Sequence, residues 1–317
     1  MTELSSWHDA GWSGLRVAVL GLDPVAFSVV DTLTELGAIV RVIAQDPPEQ
    51  YANLLPVIGA TLVSEAVDEQ LVIVTAETDE NDPTVTWAHA SGVPVWGDVE
   101  LAWRVRDKVA APEWLCVTAE RATDTVVDLV VHLLGSAATR VAGVGHGNVP
   151  ILDAVRAPDG FDVLVVELSE GDLRWAEGSP VSPLASVCLD GESSAYGRVY
   201  VNTRIACVYN KSVESTMHFV EEAEVVDGCR AIGIDLGTPG PSDLGLVGDI
   251  VVDRAFHEER HSAALELTTH GELAAAGLGD ATSVLSVLAA SALVRAYGVP
   301  SEIVGASIAT FRDTRRA

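Results

Sequence analysis

From Leu15 onward the chain alternates short apolar runs with amphipathic stretches: "LRVAVLGL", then "PVAFSVVDTLTEL", then "AIVRVIAQD", then "LVIVTAE". A short unbroken apolar run suits a strand buried on both faces, and the amphipathic stretch between two runs suits a helix laid across them. Repeated strand–helix–strand units of this kind build parallel sheets. The alternation pauses at "RDKVAAPEW", residues 106–114, and then resumes with a strand at 114–118, a helix at 123–135, a strand at 139–144, a helix at 150–157 and a strand at 162–168. This predicts two domains, 1–111 and 112–317. The later strands, "GSPVSPLASVCLDG", "RIACVYN" and the Gly/Pro-punctuated "CRAIGIDLGTPGPSDLGLVGDIVVD", are shorter. Two helices close the chain, at 281–297 and 301–311, the first stopped by Gly298 with Pro300 just beyond.

A chain of 317 residues that is 48% hydrophobic can bury two such cores. Its formal net charge of -27 would repel a nucleic-acid backbone or an anionic membrane, so nucleic acid is excluded as a partner. No apolar run reaches the ~18 residues that a membrane span needs, and the start, "MTELSSWHDAGWSG", has no leader-like pattern. The expectation is a cytoplasmic protein without membrane insertion. Cys116, Cys188, Cys207 and Cys229 lack C-x-x-C spacing, which favours small buried hydrophobes over disulfides or a zinc cluster. Only Lys108 and Lys211 could serve a mechanism that needs a lysine.

One turn stands out. "VTAERATDTV", residues 117–126, joins a strand to a helix, where many α/β proteins hold phosphate. Phosphate turns use glycines for close backbone approach and a lysine for charge; this one has Ala119, Ala122, Glu120 and Asp124. "GLDPVA", residues 21–26, also opens a helix after a strand, but Asp23 and Ala26 stand where glycines would admit a phosphate. Asp23 as helix cap and Pro24 at the first helical position are the plainer reading. "VGHGNVP", residues 144–150, is a Gly-rich turn, and Glu167 ends a buried strand, where α/β sites gather. It suits a metal ligand or a structural role equally. "HEERH", 257–261, matches a zinc pattern that works only on a helix, and the strand-like residues before it favour a solvated surface segment. His132 reads as a packed residue.

Taken in order, "GLRVAVLGL", "GVPVWGDVELAWRV", "PEWLCVT", "VPILDAV", "FDVLVVELS", "ACVYN", "GCRAIGIDLGTPGPSDLG", "DIVVDRAF" and "LVRAYGVP" resemble the MurD-type Mur ligases of actinobacteria. Those enzymes add D-glutamate to UDP-N-acetylmuramoyl-L-alanine with ATP and magnesium. The resemblance implies a Rossmann-like N-terminal domain that binds UDP, 1–111, and a central P-loop-NTPase-like domain, 112–317. It places the end of the chain, "FRDTRRA", where the family's third domain would begin, so the C-terminal domain is expected to be absent.

The family's site motifs depart here. Its T-G-T-N-G-K-T-T loop falls on Thr118, Ala119, Glu120, Arg121, Ala122, Thr123, Asp124 and Thr125, so only the first and last threonines match and Thr123 stands at the lysine. The two added carboxylates oppose a phosphate by several kcal/mol at an effective dielectric of about 20. Of the metal-binding E-L-S-S-F-Q-L, Glu167, Leu168, Ser169 and Leu173 remain, which leaves Glu167 as a residual metal ligand. The nucleotide-sugar turn is reduced to Gly21, Leu22 and Asp23. A degenerate substrate turn falls on Gly145, His146 and Asn148, and the family's H-N pair becomes Thr282 and Ser283. Strand and helix runs keep the family look while the contact positions change. The expectation is therefore a pseudoenzyme: a binding, scaffold or regulatory protein of peptidoglycan precursor synthesis or a specialised pathway, with no cofactor. Its partner would be a protein such as an intact Mur ligase or pathway enzyme, or else a UDP-sugar. The alternative is a divergent ATP-dependent Mur-type ligase completed by a partner or turned to another substrate.

Overall fold

The computed structural model describes residues 4–121 and 123–312; Ala122 of the phosphate-loop positions and residues 313–317 lie outside them. The chain forms two compact units. The first comprises residues 1–112, 149–160 and 171–181, and the second residues 113–148, 161–170 and 182–317.

The first unit is built on β1 (Arg16–Leu20), α1 (Pro24–Glu35), β2 (Ile39–Ile43), α2 (Glu49–Ala52), α3 (Leu55–Ile58), β3 (Thr61–Val63), β4 (Leu71–Val74), α4 (Pro83–Ser91), β5 (Val95–Gly97) and α5 (Asp98–Val105). Its five strands lie in the order β3-β2-β1-β4-β5, every neighbouring pair parallel. Strand order reverses at β1, so a crevice opens beyond its carboxyl end, where Gly21 leads into α1. Ala18, Leu20, Val72, Val74, Val85 and Ala88 form a core cluster with Trp87 and Trp175 packed against it. Segment 171–181 joins this unit through Trp175 on that core, and segment 149–160 makes polar contacts with it. Arg156 donates to Asp31 at 2.5 Å, and the Ser28 hydroxyl donates to Asp153 at 2.6 Å.

The second unit contains β6 (Glu113–Thr118), α6 (Thr123–Ser136), β7 (Val141–Gly145) and β8 (Val163–Glu167); the short helix α7 (Ile151–Val155) belongs to the first unit. Helix α8 (Glu170–Arg174) starts at the last residue of the segment 161–170. The second unit continues with β9 (Ala185–Cys188), a 3-10 turn (Ser194–Tyr200), β10 (Ala206–Asn210), α9 (Glu214–Glu221), β11 (Arg230–Ile234), β12 (Asp243–Val247), β13 (Ile250–Asp253), β14 (Leu265–Thr269), α10 (His270–Ala275), α11 (Ala281–Tyr297) and α12 (Ser301–Ile308).

Nine strands run β14-β13-β12-β11-β10-β9-β6-β8-β7, parallel from β7 to β12 and antiparallel across β12-β13-β14. Here β6 is the strand where the order reverses. It has β8 on one side and β9 on the other, and its own apolar run Trp114–Val117 is wholly buried between them. Helices α6 and α11 cover the sheet. Asp280 caps α11 by accepting from the Ser283 amide, and Gly298 ends it at φ +106°, a left-handed position glycine reaches without strain. The last helix stops at Ile308, three residues short of the sequence expectation. Among the described residues no helix is long and apolar enough to cross a membrane.

Candidate functional site

The carboxyl ends of β6, β8 and β9 meet at the turn between β6 and α6. Thr118 is buried at the end of β6, and its hydroxyl donates to the Leu168 carbonyl at 2.7 Å, tying the turn to the end of β8. The Glu120 amide donates to Asp190 Oδ1 at 2.6 Å, and the Glu192 amide donates back to Glu120 Oε1 at 3.1 Å. An amide that could face an external anion is thus taken by a carboxylate of the same unit. Asp124 accepts from the Thr125 amide at 2.8 Å at the start of α6.

Glu167, the last residue of β8, is only 4% exposed. Thr123 Oγ1 donates to its Oε1 and Asn148 Nδ2 to its Oε2, each at 2.6 Å. Burial holds this carboxyl above its ordinary range, and the hydrogen bonds and the nearby His146 pull it back only in part. The turn 145–148 is shaped for this approach. Gly145 has φ +93°, and a Cβ there would run into the Glu167 carbonyl oxygen. That closeness lets the His146 amide donate to the same carbonyl at 2.9 Å.

These groups line a cleft of about 430 Å³ into which Glu120, Arg121, Asp124, His146, Glu170 and Tyr196 face. Four carboxylates, counting Glu167, stand against one guanidinium and one imidazole. The Tyr196 hydroxyl registers this field: burial first, then Glu170, Glu120 and Asp190, raise it above its ordinary value. Among the described residues no group of three or more His, Cys, Asp or Glu is placed to hold a metal ion.

The first unit has its own crevice, about 510 Å³, beyond β1, β2 and β4. Gly21 takes φ +83°, and Asp23 Oδ1 accepts from the Ala26 amide at 2.8 Å while Pro24 supplies no N–H. The amino end of α1 is therefore capped from within. Asp23, Glu77, Asp79 and Asp82 line the crevice, with no basic side chain among its lining residues. In the same unit Asp98 is buried at the start of α5. Burial first, then the charges of Asp172 and Asp23, hold its carboxyl well above the ordinary range.

The other sequence candidates fall elsewhere. Thr282 and Ser283 open α11, where Ser283 donates to Asp280 at 2.6 Å. Lys108 pairs with Glu35 and Lys211 with Asp243; neither lines the β6–α6 cleft. "HEERH" is a turn rather than a helix, so its two histidines do not share a helical face. His132 packs its ring edge-on to Phe311 and sits 3.0 Å from the Ser307 carbonyl. The sequence reading missed Asp190, Glu192 and Asp98. A carboxylate two residues past the end of a buried strand was the available signal for Asp190, close to the one that drew attention to Glu167 at the end of β8.

This pair of sheets is the fold of the Mur ligases. The chain superposes on a UDP-N-acetylmuramate:L-alanyl-gamma-D-glutamyl-meso-diaminopimelate ligase from Neisseria meningitides with TM-score 0.57 at 11% identity, covering 95% of this chain and 99% of that one. A murein peptide ligase from Psychrobacter arcticus gives TM-score 0.54 at 12% identity, over 94% of this chain and 68% of that one. No family model matches the sequence. The individual relatives are closer. It is 45% identical to a UDP-N-acetylmuramoylalanine–D-glutamate ligase of Leifsonia xyli, over 98% of this chain and 67% of that protein. It is 39% identical to proteins of the same name from Streptomyces avermitilis, over 95% and 68%, and Streptomyces coelicolor, over 96% and 67%. The chain belongs to the UDP-N-acetylmuramoylalanine–D-glutamate ligase family, MurD, and spans about two thirds of the length of these relatives.

Proposed function

We propose that this chain is a MurD-like protein of peptidoglycan precursor synthesis that binds or scaffolds and does not itself perform ATP-dependent ligation. The observation that carries the reading is the Asp190 carboxylate seated on the Glu120 amide, at the position of the family's phosphate loop. ATP and magnesium do not fit the turn as it stands. Ala119 stands at a family glycine, Thr123 at the lysine is spent on Glu167, and Glu120 and Asp124 oppose the β- and γ-phosphates. Glu167, the residual metal ligand of this reading, has both oxygens engaged by Thr123 and Asn148.

In this reading residues 1–111 correspond to the nucleotide-sugar domain and 112–317 to the central domain with a degenerate P-loop, with the segments 149–160 and 171–181 of the latter packed into the first unit. The partner is a protein of the same pathway, such as an intact Mur ligase. A UDP-sugar has the weaker case at Gly21, Leu22 and Asp23, because Asp23 caps the helix end that would face a diphosphate. Isothermal titration of the purified chain with ATP and magnesium tests the reading. No binding in the micromolar range is expected, and micromolar binding overturns it.

A further inference from the structure

Two of the four cysteines, distant in sequence, are brought together by the sheet. Cys207 is the second residue of β10 and is buried; Cys229 immediately precedes β11 and is half-buried. In the parallel pairing Cys207 lies opposite Ala231, so Cys229 sits two residues back along the neighbouring strand line, on the same face. Their sulfurs are 3.7 Å apart. Both backbones are pinned, since the Cys229 amide donates to Val226 and the next amide, of Arg230, donates to Ile205. Closing to a disulfide bond length of about 2.05 Å asks the two side chains, already within 3.7 Å on one face, to rotate toward each other.

The two thiols are unequal. The hydrogen bond from Cys207 holds Cys229 below the ordinary thiol value against the opposing effect of burial. Cys207 is pushed far up, first by that same hydrogen bond and then by burial. Cys116 and Cys188 differ from both: burial pushes each up to about 12, which leaves little reactive thiolate at neutral pH.

We propose that Cys207 and Cys229 are a redox modification site at which a hydroperoxide oxidises Cys229 and Cys207 closes a reversible disulfide. The Cys229 thiolate attacks a peroxide oxygen; the O–O bond breaks, leaving a sulfenic acid and releasing hydroxide or alkoxide, which takes a proton from solvent. The Cys207 sulfur then attacks the Cys229 sulfur. The S–O bond breaks, the departing hydroxyl takes the Cys207 proton as water, and the S–S bond forms. Two thiols lose two electrons and two protons, and the peroxide is reduced to two waters, or to water and an alcohol. The bond would staple β10 to the turn ahead of β11, enclosing α9. This is the amino-terminal edge of those strands, opposite the edge that carries Glu167 and Asp190, so it needs no ligand in the β6–α6 cleft.

Treating the full chain with a few equivalents of hydrogen peroxide, followed by proteolysis and mass spectrometry, tests the site. A mass loss of about 2 Da, one linked peptide pair containing Cys207 and Cys229, and reversal by dithiothreitol are expected. Cys229→Ser should give no linked pair. Cys207→Ala, which keeps a small apolar group in the buried position, should leave a sulfenic acid on Cys229 that a 1,3-diketone traps. A wild-type chain whose Cys229 stays unmodified, or is oxidised without a link to Cys207, or in which Cys116 or Cys188 supplies the linked sulfur, overturns the proposal.

Discussion

The Asp190 carboxylate lies 2.6 Å from the Glu120 backbone nitrogen, and the Glu192 amide returns to the Glu120 carboxylate at 3.1 Å. The loop after β9 thus holds the turn after β6 from its open side. Asp190→Ala should release this clasp. The bond is solvent-facing, so the cost in urea unfolding should be at most ~1 kcal/mol, while hydrogen exchange at the Glu120 amide should speed up clearly. Unchanged exchange would mean that the clasp is not maintained in solution.

Restoring the family's lysine alone should not restore nucleotide binding. In Thr123→Lys the ammonium would meet Glu167, a buried carboxylate already positioned to take a donor from residue 123. Calorimetry with ATP and magnesium should still show no micromolar binding, because Ala119, Glu120 and the Asp190 contact persist. Micromolar binding by this variant would show that charge at one position was all the turn lacked.

Asp98 makes stability depend on pH in a defined direction. Its folded carboxyl titrates well above its ordinary 3.8, through burial and then Asp172 and Asp23. The contribution of the protonated group is fully present below that ordinary value and is lost as pH rises through the folded one. Asp98→Asn cannot ionise, so its urea midpoint should gain on the wild type between pH 4 and pH 7. A gap that stays constant or narrows over that range contradicts the assignment.

Arg295 on α11 donates through Nε to Asp253 at 2.9 Å, and the Asp253 side chain is fully buried. The amides of Ala255 and Phe256 also donate to Asp253, and Arg295 is the cation in direct contact with it, with the Arg230 charge acting from farther off. Arg295→Ala should cost about 3 kcal/mol in denaturant unfolding, the usual scale for stranding one partner of a buried pair. A loss below ~1 kcal/mol would mean that water reaches Asp253.

The strands were legible because burial on both faces leaves one kind of trace: Trp114–Val117 and Val163–Val166 are unbroken apolar runs, and they lie side by side. Helix ends were legible where a single residue decides them, as Gly298 does for α11 and Asp23 for α1. The site was only half legible. Glu167 stood out at the end of an apolar strand, whereas its partners Thr123 and Asn148 lie 44 and 19 residues away and carry no local mark. Asp190 escaped notice for a related reason. Its partner is a backbone amide, and an amide has no letter in the sequence. The membership of 149–160 and 171–181 in the first unit was equally hidden, since it rests on tertiary contacts such as Arg156 with Asp31 and Trp175 on the core of that unit.

In both crevices, beyond β1 and beyond β6, the charged lining residues are mostly carboxylates, within a chain of net charge -27. For ordinary phosphate-binding proteins added salt weakens the ligand by screening attraction. Here the screened interaction is repulsion, so moderate ionic strength should ease the entry of any anion and hinder a cationic one. Each crevice therefore acts as a charge filter that admits molecules by sign before shape has a say.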